Sequence, residues 1–273
     1  MAGVEAGGTD AVEPIVVRRC ATDSELMACV ELQKEVWGFS DAELVPLRLF
    51  IVAQKIGGQV LGAFDGNELV GFALGIPGVR NAHAYLHSHM LAVRLQYRNR
   101  GVGRRIKLFQ REDALARGFE LIEWTFDPLE IKNAYLNLDR LGAIARRYNP
   151  NQYGNSLSPL QGGLPTDRVV AEWWLKSKRV SSLMRRGSLP PFKAQEKVTV
   201  PAQIYDWKSS EADRGKAAQV QERNRELLTD AFSRGLTALG YSRDEQGNGS
   251  FLLGKWDEAW SYGSQESGSG LTR

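Results

Sequence analysis

A turn with two glycines, between a predicted strand and a predicted helix, limits the possible folds of this chain more than any other feature. The sequence predicts a strand over residues 84–95 and an amphipathic helix that ends near Ala116. The junction has the pattern Arg98-x-x-Gly101-x-Gly103. Glycines there let the backbone approach a ligand closely, and a helix N-terminus presents unpaired N–H groups and the positive end of the helix dipole. The junction therefore predicts an anion-binding turn; a glycine turn with solvated arginines is the alternative.

Basic residues are concentrated around this turn. The formal net charge of the 273-residue chain is only +3, so the composition indicates no strong field toward nucleic acid or membrane. Eight Lys or Arg residues but only two acidic ones lie between positions 94 and 117. The basic residues are Arg94, Arg98, Arg100, Arg104, Arg105, Lys107, Arg111 and Arg117. Such a cluster is expected to bind phosphate, whether of a cofactor, a nucleic acid or a lipid.

Two other phosphate-binding motifs fit this segment poorly. The dinucleotide-binding fingerprint needs Gly-x-Gly-x-x-Gly within a βαβ unit and an acidic residue about 20 positions later. The third glycine position is occupied by Ile106. A Walker loop needs Gly-Lys-Ser or Gly-Lys-Thr, which does not follow here.

The first two thirds of the chain contain both predicted strands and predicted helices. Thr22 to Glu25 fits a capping box, which marks a helix start, and Asp65-Gly66-Asn67 is typical of a hairpin turn. The predicted strands cover residues 15–17, 60–64, 68–76, 84–95, 119–126, 143–148 and 169–175. The predicted helices begin after Thr22, near Pro46, after Gly103 and near Ile131.

Composition divides the chain into five segments. An N-terminus rich in Gly and Ala is expected to be disordered and a polar C-terminal tail to be flexible; between them we expect a main domain, a linker and a smaller accessory unit. In chain order these segments are 1–13, 14–178, 179–197, 198–258 and 259–273, the first being the disordered N-terminus and the last the tail. The accessory unit is predicted to contain a strand over 198–204, a helix over 210–239 and a hairpin at 247–249.

The segment around the glycine turn resembles a known family. Leu91-Ala92-Val93, followed by Arg98-x-x-Gly101-x-Gly103, resembles motif A of the GNAT superfamily of N-acyltransferases, and the predicted element order over residues 14–176 agrees. Residues 120–141 then correspond to motif B. The resemblance implies the GNAT α/β fold (α+β by some schemes): a mixed central sheet, splayed by a bulge at the motif A strand and flanked by helices, here with a small C-terminal α/β unit.

The same resemblance implies acetyl-CoA or another acyl-CoA as co-substrate, and no metal. The pyrophosphate would lie on the glycine turn, the backbone of the motif A strand would bind the pantetheine and acyl carbonyl, and two asparagines of motif B would bind pantetheine amides. The implied cofactor-binding residues are Leu91, Ala92, Val93, Arg98, Asn99, Arg100, Gly101, Val102, Gly103, Arg104, Asn133 and Asn137.

Acyl transfer to an amine needs a base, because an alkylamine with a pKa of about 10.4 is almost fully protonated at neutral pH. The chain's three histidines lie together, and His87 and His89 share a face of a regular strand. The string from His87 to Val93 resembles His-x-His-x-Leu-Ala-Val of the arylalkylamine (serotonin) N-acetyltransferases, which implies that both histidines serve as base through water. Purely structural histidines and a metal site are the alternatives. Glu123 is a further candidate base, with a surface or salt-bridged carboxylate as its alternative.

The general acid is missing from its usual place. Many GNAT enzymes carry a tyrosine four residues before the glycine that ends the motif B helix, and this position is Leu138. Tyr135, Tyr148 and Tyr153 are possible substitutes, as is water. Tyr153 belongs to a loop over residues 149–166 that is long for a connector, and we expect that loop to form part of the acceptor site.

These patterns predict an acyl-CoA-dependent N-acyltransferase that acts on the amine of a small molecule or amino acid by direct transfer in a ternary complex. A catalytically weak acyl-CoA sensor or scaffold is one alternative, and an enzyme that modifies protein or nucleic acid is another. No nucleic-acid or membrane partner is expected, and a homodimer is compatible with the C-terminal unit. Cys20 and Cys29 form no metal-ligand pattern and, with no signal peptide or membrane span in the sequence, are typical of a cytoplasmic protein.

Overall fold

The computed structural model describes residues 15–154 and 161–262. The predicted disordered segment 1–13, part of the predicted acceptor loop and residues 263–273 of the predicted tail lie outside these ranges. The described strands are β1 Val16–Arg19, β2 Gln59–Asp65, β3 Glu68–Arg80, β4 His83–Val93, β5 Leu121–Phe126, β6 Ile144–Asn149, β7 Arg168–Trp174, β8 Glu196–Val200, β9 Leu236–Arg243 and β10 Gly249–Lys255. The helices are α1 Asp23–Trp37, α2 Leu47–Lys55, α3 Val102–Ala116, α4 Ile131–Tyr135, α5 Lys178–Arg186, α6 Ile204–Ser209 and α7 Arg214–Ser233. None of the described helices is long and apolar enough to cross a membrane.

All ten described strands form a single mixed sheet. Their order across the sheet is β1-β2-β3-β4-β5-β7-β6-β9-β10-β8. The β4–β5 pair is parallel, and the other described pairs are antiparallel. This confirms the predicted mixed sheet flanked by helices, and the glycine turn lies in the connection between the two parallel strands.

Helices cover both faces of the first half of the sheet. On one face, α1 and α2 pack on β2, β3 and β4 through residues such as Leu26, Phe50 and Met90. On the other face, Val102 and Ile106 of α3 pack against Leu91 and Val93. We call these two sides of the sheet the α1–α2 face and the α3 face.

The predicted capping box at the start of α1 is confirmed. The Thr22 side chain accepts a hydrogen bond from the backbone N–H of Glu25, and the Glu25 carboxylate accepts one from the backbone N–H of Thr22. A glycine, Gly38, then ends the helix in the left-handed conformation.

The β4 strand carries a bulge that separates it from β5. Opposite β3, Leu74 pairs with Met90 while Gly75 pairs with Ser88, so His89 is the extra residue. Beside β5, β4 forms two pairs, Leu86 with Ile122 and His87 with Glu123. Beyond these pairs the two strands diverge and leave an opening, called the V below. The predicted bulge and splay are therefore confirmed.

The C-terminal strands extend the same sheet, since Ala145 of β6 pairs with Ala238 of β9. The predicted helix over 210–239 is shorter than expected. It ends at Ser233, because Gly235 takes a positive φ of 81° and turns the chain into β9. The predicted strand over 198–204 ends at Val200, and α6 follows.

The predicted linker contains structure that the sequence analysis did not anticipate. Helix α5 lies within it, capped by the Ser177 hydroxyl. Its Val180 and Leu183 are buried, and the buried guanidinium of Arg179 donates to the carbonyls of Gly142 at 3.1 Å and Leu138 at 3.0 Å. This part of the chain is therefore packed on the main sheet.

Candidate active site

The N-terminus of α3 has the properties of an anion receptor. Gly101 lies at the N-cap with φ 77°, a left-handed conformation that favours glycine, and no side chain caps the helix. The Arg105 N–H donates to the Gly101 carbonyl at 3.0 Å. The backbone N–H groups of Val102, Gly103 and Arg104 precede that bond and so have no intrahelical acceptor. We call these three residues the glycine cradle.

Gly103 leaves room that the protein itself does not fill. A Cβ added there would meet only Val93 Cγ2 at 3.8 Å and Leu91 Cδ2 at 3.9 Å, which are ordinary contacts. Packing within the chain therefore does not require glycine at this position. The free space fits the close approach of a pyrophosphate to the helix N-terminus.

The predicted arginines surround the cradle in different ways. Arg98 folds back so that its Nε donates to the Val93 carbonyl at 3.0 Å, and Arg104 Nε lies 3.4 Å from the Arg140 carbonyl. Asn99 has a φ of 61°, which completes the turn. The guanidinium of Arg100 lies over the Tyr97 ring, and that of Arg105 donates to the carbonyl of Ile15.

The phosphate-binding interpretation of the whole basic cluster is wrong for three of its members. Lys107 is buried against the sheet. Arg111 donates to the Leu175 carbonyl at 3.0 Å, and Arg117 donates to the Gly58 carbonyl at 3.2 Å. These residues lie farther along α3, where the helix crosses the sheet instead of facing the turn.

The V exposes backbone groups of β4. Past His87, the edge of β4 that faces β5 has no strand partner among the described residues. Leu91 and Val93 pack toward α3, while Ala92 packs toward α1 and α2. Free backbone groups at the edge of a strand bind an extended chain readily, which is what the predicted role in pantetheine binding requires.

The helix that follows β5 differs from the predicted one. The predicted helix continued to Leu141, but α4 ends at Tyr135 and continues as a π-helical turn over Leu136–Arg140. The Leu141 N–H donates to the Leu136 carbonyl at 2.9 Å, which closes the wider turn. Leu138 is fully buried in the core, so the expected tyrosine position carries no polar group.

Asn137 lies on this π-helical turn with an unused donor. Its side chain is only 1% exposed, and its Nδ2 has no hydrogen-bond partner. A buried amide without a partner costs free energy, so a ligand acceptor such as a pantetheine carbonyl suits this position. Asn133, the other predicted asparagine, is exposed one turn earlier.

His87 and His89 lie side by side, with ring centroids 5.8 Å apart. Ser88 is bound by α3, so His87 lies on the α1–α2 face. Burial, and then the neighbouring His89, lower the pKa of His87 to about 4. Partial desolvation also lowers the pKa of His89, although this residue stays accessible to solvent. Both rings are therefore neutral at pH 7.

Glu123 is a buried, salt-bridged carboxylate. It is 3% exposed, and its two oxygens accept from Arg80 at 2.6 and 2.8 Å and from the guanidinium of Arg147. Its partner across the β5–β7 pair, Glu172, accepts from Arg147 and from Arg146. These contacts favour the salt-bridged alternative over a base, because both oxygens are occupied by guanidinium donors.

The three tyrosines differ in how their hydroxyl groups are used. Tyr148 donates to Asp167 at 2.6 Å, and burial together with that carboxylate raises its pKa well above the ordinary value. Tyr135 packs against the main core. Tyr153 is 52% exposed, and its hydroxyl lies 3.2 Å from Thr125 Oγ1 on β5. Tyr153 is thus the accessible tyrosine of the three.

The two described ends of the predicted acceptor loop are tied together. The Gln152 N–H donates to the Thr166 carbonyl at 3.0 Å, and the Tyr153 N–H donates to Thr166 Oγ1 at 2.9 Å. Asn151 Oδ1 accepts from the Thr166 N–H at 3.1 Å. The base of the loop is therefore organised and presents Tyr153 beside the end of β5.

The cations that surround the acidic residues of β5 and β7 were not predicted from the sequence. Arg80, Arg146 and Arg147 were not singled out, although two glutamates at sheet-facing positions need such partners. The burial of Lys107 was not predicted either. The sequence did contain a signal for this burial, because Lys107 lies four residues after Gly103, on the apolar side of an amphipathic helix.

Residues 23–134 match the family model described as acetyltransferase (GNAT) family. This part of the chain is a GNAT acetyltransferase domain. The resemblance of the string at His87 to the arylalkylamine N-acetyltransferases stays a prediction. No curated protein matches the chain significantly. Among the described residues no cluster of three or more His, Cys, Asp or Glu side chains could hold a metal ion.

Several solved acetyltransferase structures resemble the GNAT domain and its surroundings. The ribosomal-protein-S18-alanine N-acetyltransferase from Escherichia coli is 14% identical, with a TM-score of 0.48 over 60% of this chain and 96% of that one. An aminoglycoside 6'-acetyltransferase type Ii is 17% identical, with a TM-score of 0.46 over 60% and 99%. The NatC complex bound to a Gag peptide and CoA is 14% identical, with a TM-score of 0.46 over 58% and 96%. At these values none of them indicates what this chain acts on.

The glycine cradle leads to a first prediction. Gly103→Ala is expected to stabilise the free protein by about 0.5–1 kcal/mol, because alanine favours a helix. It is expected to weaken acyl-CoA binding by about tenfold or more, because its methyl group occupies the free space. Gly215→Ala, also at the second position of a helix and with no atom near its Cβ, is the matched control: similar stabilisation and unchanged CoA affinity. Equal affinity in both variants by calorimetry would contradict this placement.

The low pKa of His87 leads to a second prediction. The unfolded chain protonates this histidine near pH 6.5, whereas the folded chain does so only near pH 4. The residue therefore lowers the free energy of unfolding progressively as the pH falls from about 6.5 to 4. His87→Asn is expected to lose less stability across this window in urea unfolding. Identical slopes in wild type and His87→Asn would refute the buried environment of His87.

Proposed function

We propose that the chain is an acyl-CoA-dependent N-acyltransferase that moves an acetyl or other short acyl group to the amine of a small molecule or amino acid. Transfer takes place directly, in a ternary complex. The observation that carries this proposal is the V, which opens at the bulge of His89 and leads to the glycine cradle. The GNAT family match agrees with acyl transfer of this general kind.

The residues of the V and the cradle fit acyl-CoA. The N–H groups of Val102, Gly103 and Arg104 bind the pyrophosphate, and the free edge of β4 binds the pantetheine. The unpartnered Nδ2 of Asn137 donates to a pantetheine carbonyl. When bound, acyl-CoA supplies a thioester carbonyl as the electrophile.

His87 and His89 act as the base, on the α1–α2 face. Both rings are neutral at pH 7, so they accept hydrogen bonds from the acceptor amine or from a water between them. An imidazole with a pKa of about 4 is a weak base, so the desolvated site must also favour the neutral amine. The two rings therefore orient the amine and take its proton as it attacks.

The charge on the α1–α2 face favours an acceptor with an anionic group. Arg80, Arg146 and Arg147 surround Glu123 and Glu172, which leaves three guanidinium groups against two carboxylates. This excess positive charge lies beside the pair formed by His87 and Glu123. An amino acid, which carries a carboxylate near its amine, meets this requirement.

The proposal is tested by a panel of amines and amino acids with acetyl-CoA and succinyl-CoA, in which release of free thiol is measured. Turnover with an amine that depends on the chain supports the proposal. Acyl-CoA binding without transfer to any acceptor would instead favour the sensor or scaffold alternative. A protein that binds no acyl-CoA at all would contradict both.

The base assignment predicts a large loss of turnover. The double variant His87→Ala, His89→Ala is expected to lose about 10²-fold or more in kcat, which is the usual contribution of a positioned base. CoA affinity should stay within about twofold, because neither ring faces the cradle, and such a change is below 0.5 kcal/mol. Wild-type turnover in this variant would mean that both histidines are structural.

Tyr153 has two predicted roles that kinetics can separate. At the acceptor loop it contacts the acceptor, so Tyr153→Phe is expected to raise the acceptor KM by about tenfold, with kcat little changed. A loss confined to kcat would instead assign it to proton donation. Tyr148→Phe, whose hydroxyl is bound by Asp167, is the control and should lower stability but leave both constants near wild type.

A further inference from the structure

A buried lysine lies at the closed end of the V, and the function proposed above does not use it. Lys107 of α3 is only 2% exposed. Its Nζ donates to Ser88 Oγ at 2.7 Å and to Gln110 Oε1 at 3.1 Å, and it lies 3.8 Å from the centroid of the Trp124 ring. A lysine so deeply buried is rare unless a carboxylate pairs with it.

The position of this amine is set by both strands. The last β4–β5 pair joins His87 and Glu123. Ser88 and Trp124 are the next residue on each strand, and Lys107 touches both of them. Its Nζ therefore lies where the strands separate, on the α3 face, opposite the histidines.

The charges around Lys107 do not neutralise it. Among the described residues no carboxylate lies within salt-bridge distance of its Nζ. Asp113, farther along α3, is held by Arg19 and Arg117. His87, on the other face of β4, adds a second basic group nearby. Burial lowers the pKa of Lys107 to about 7, so the amine exchanges protons near neutral pH.

We propose that Lys107, through the Ser88 hydroxyl, supplies the proton that the leaving thiolate takes, a role that rests on the function proposed above. The span of β4 from Val93 to Ser88 is five residues, roughly 16 Å, which is comparable to an extended pantetheine arm. A thioester whose arm follows this edge from the cradle has its sulfur beside Ser88.

Residues on the two faces of the sheet account for every proton that moves in the transfer. The amine nitrogen forms a bond to the acyl carbon and gives one proton to the His87–His89 pair. The carbon–sulfur bond breaks with its electron pair on sulfur, and Ser88 donates a proton to the sulfur while Lys107 replaces it. Lys107 is left neutral and the histidine pair carries a proton; exchange with solvent restores both.

This role accounts for the missing tyrosine of motif B. Leu138 is part of the core, and the hydroxyl of Tyr148 is engaged by Asp167. Lys107 would supply this proton from α3 instead of from the helix that follows β5. The Ser88 hydroxyl accepts from the lysine, so its own hydrogen remains available to donate.

The first test measures the thiol pKa of bound CoA by the ultraviolet absorbance of the thiolate. A cation within a few ångströms lowers such a pKa by about 1–3 units, so Lys107→Met is expected to raise it by that amount relative to wild type. In Lys107→Met, kcat is expected to fall, with CoA affinity retained. Ser88→Ala should also lower kcat but leave the thiol pKa low, because the cation remains.

Lys208→Met is the matched control for loss of a buried lysine. Lys208 pairs with Asp127 and Glu130, so its removal is expected to lower stability without changing the thiol pKa. Lys107→Met should raise stability instead, most strongly below about pH 7. Because the folded pKa of Lys107 is depressed below the unfolded value of 10.5, this difference should shrink as the pH rises from 7 to 10.5.

The outcomes separate this inference from the proposed function. If wild-type protein binds no CoA, the proposed function fails and this inference fails with it. If CoA binds equally to wild type and Lys107→Met with the same thiol pKa and the same kcat, only the role of Lys107 is overturned. A raised thiol pKa and lowered kcat in Lys107→Met, with both unchanged in Lys208→Met, support the inference.

Discussion

The interruption of strand pairing between β4 and β5 is the constraint on which the site depends. A parallel pair that continued would satisfy the backbone groups of β4 and close the sheet. The extra residue at His89 ends that pairing after two residue pairs, and the chain must then satisfy the edge of β4 in another way. The glycine cradle lies at the open end of this edge and a buried amine at the closed end. We propose that an extended, phosphate-bearing molecule binds along this edge of the sheet.

The groups suited to the acceptor and the groups suited to the thioester lie on different faces of the sheet. The α1–α2 face holds the neutral histidines and the ionic network around Glu123, which are suited to an amine that carries an anionic group. The α3 face holds Lys107 and the unpartnered Asn137 lies on the π-helical turn, both suited to the thioester arm. Because the V connects the faces, an acceptor on one side meets a thioester held from the other. The proposed direct transfer uses this geometry, because it brings the acceptor to the thioester without a nucleophilic side chain between them.

Local signals predicted the elements around the site, and long-range contacts determined the rest. The capping box at Thr22 and the turn at Gly101 and Gly103 act within a few residues, so a single sequence shows them. At the π-helical turn, the Leu138 carbonyl accepts from Arg179, about forty residues away, and no local pattern indicates this turn. The burial of Lys107 is an intermediate case. Its place on the apolar side of α3 was visible in the sequence, but a lysine in a basic segment suggests solvent exposure, and the packing of α3 on β4 reverses that expectation.

Amide hydrogen exchange with and without acetyl-CoA tests the central claim most directly, because it reports backbone protection residue by residue. The account predicts slower exchange in two places on binding: at the free edge of β4 over residues 89–93, and at the N–H groups of residues 102–104. Exchange in the C-terminal strands β8, β9 and β10 should not change. Protection confined to those C-terminal strands, with β4 and the start of α3 unaffected, would contradict the placement of acyl-CoA in the V.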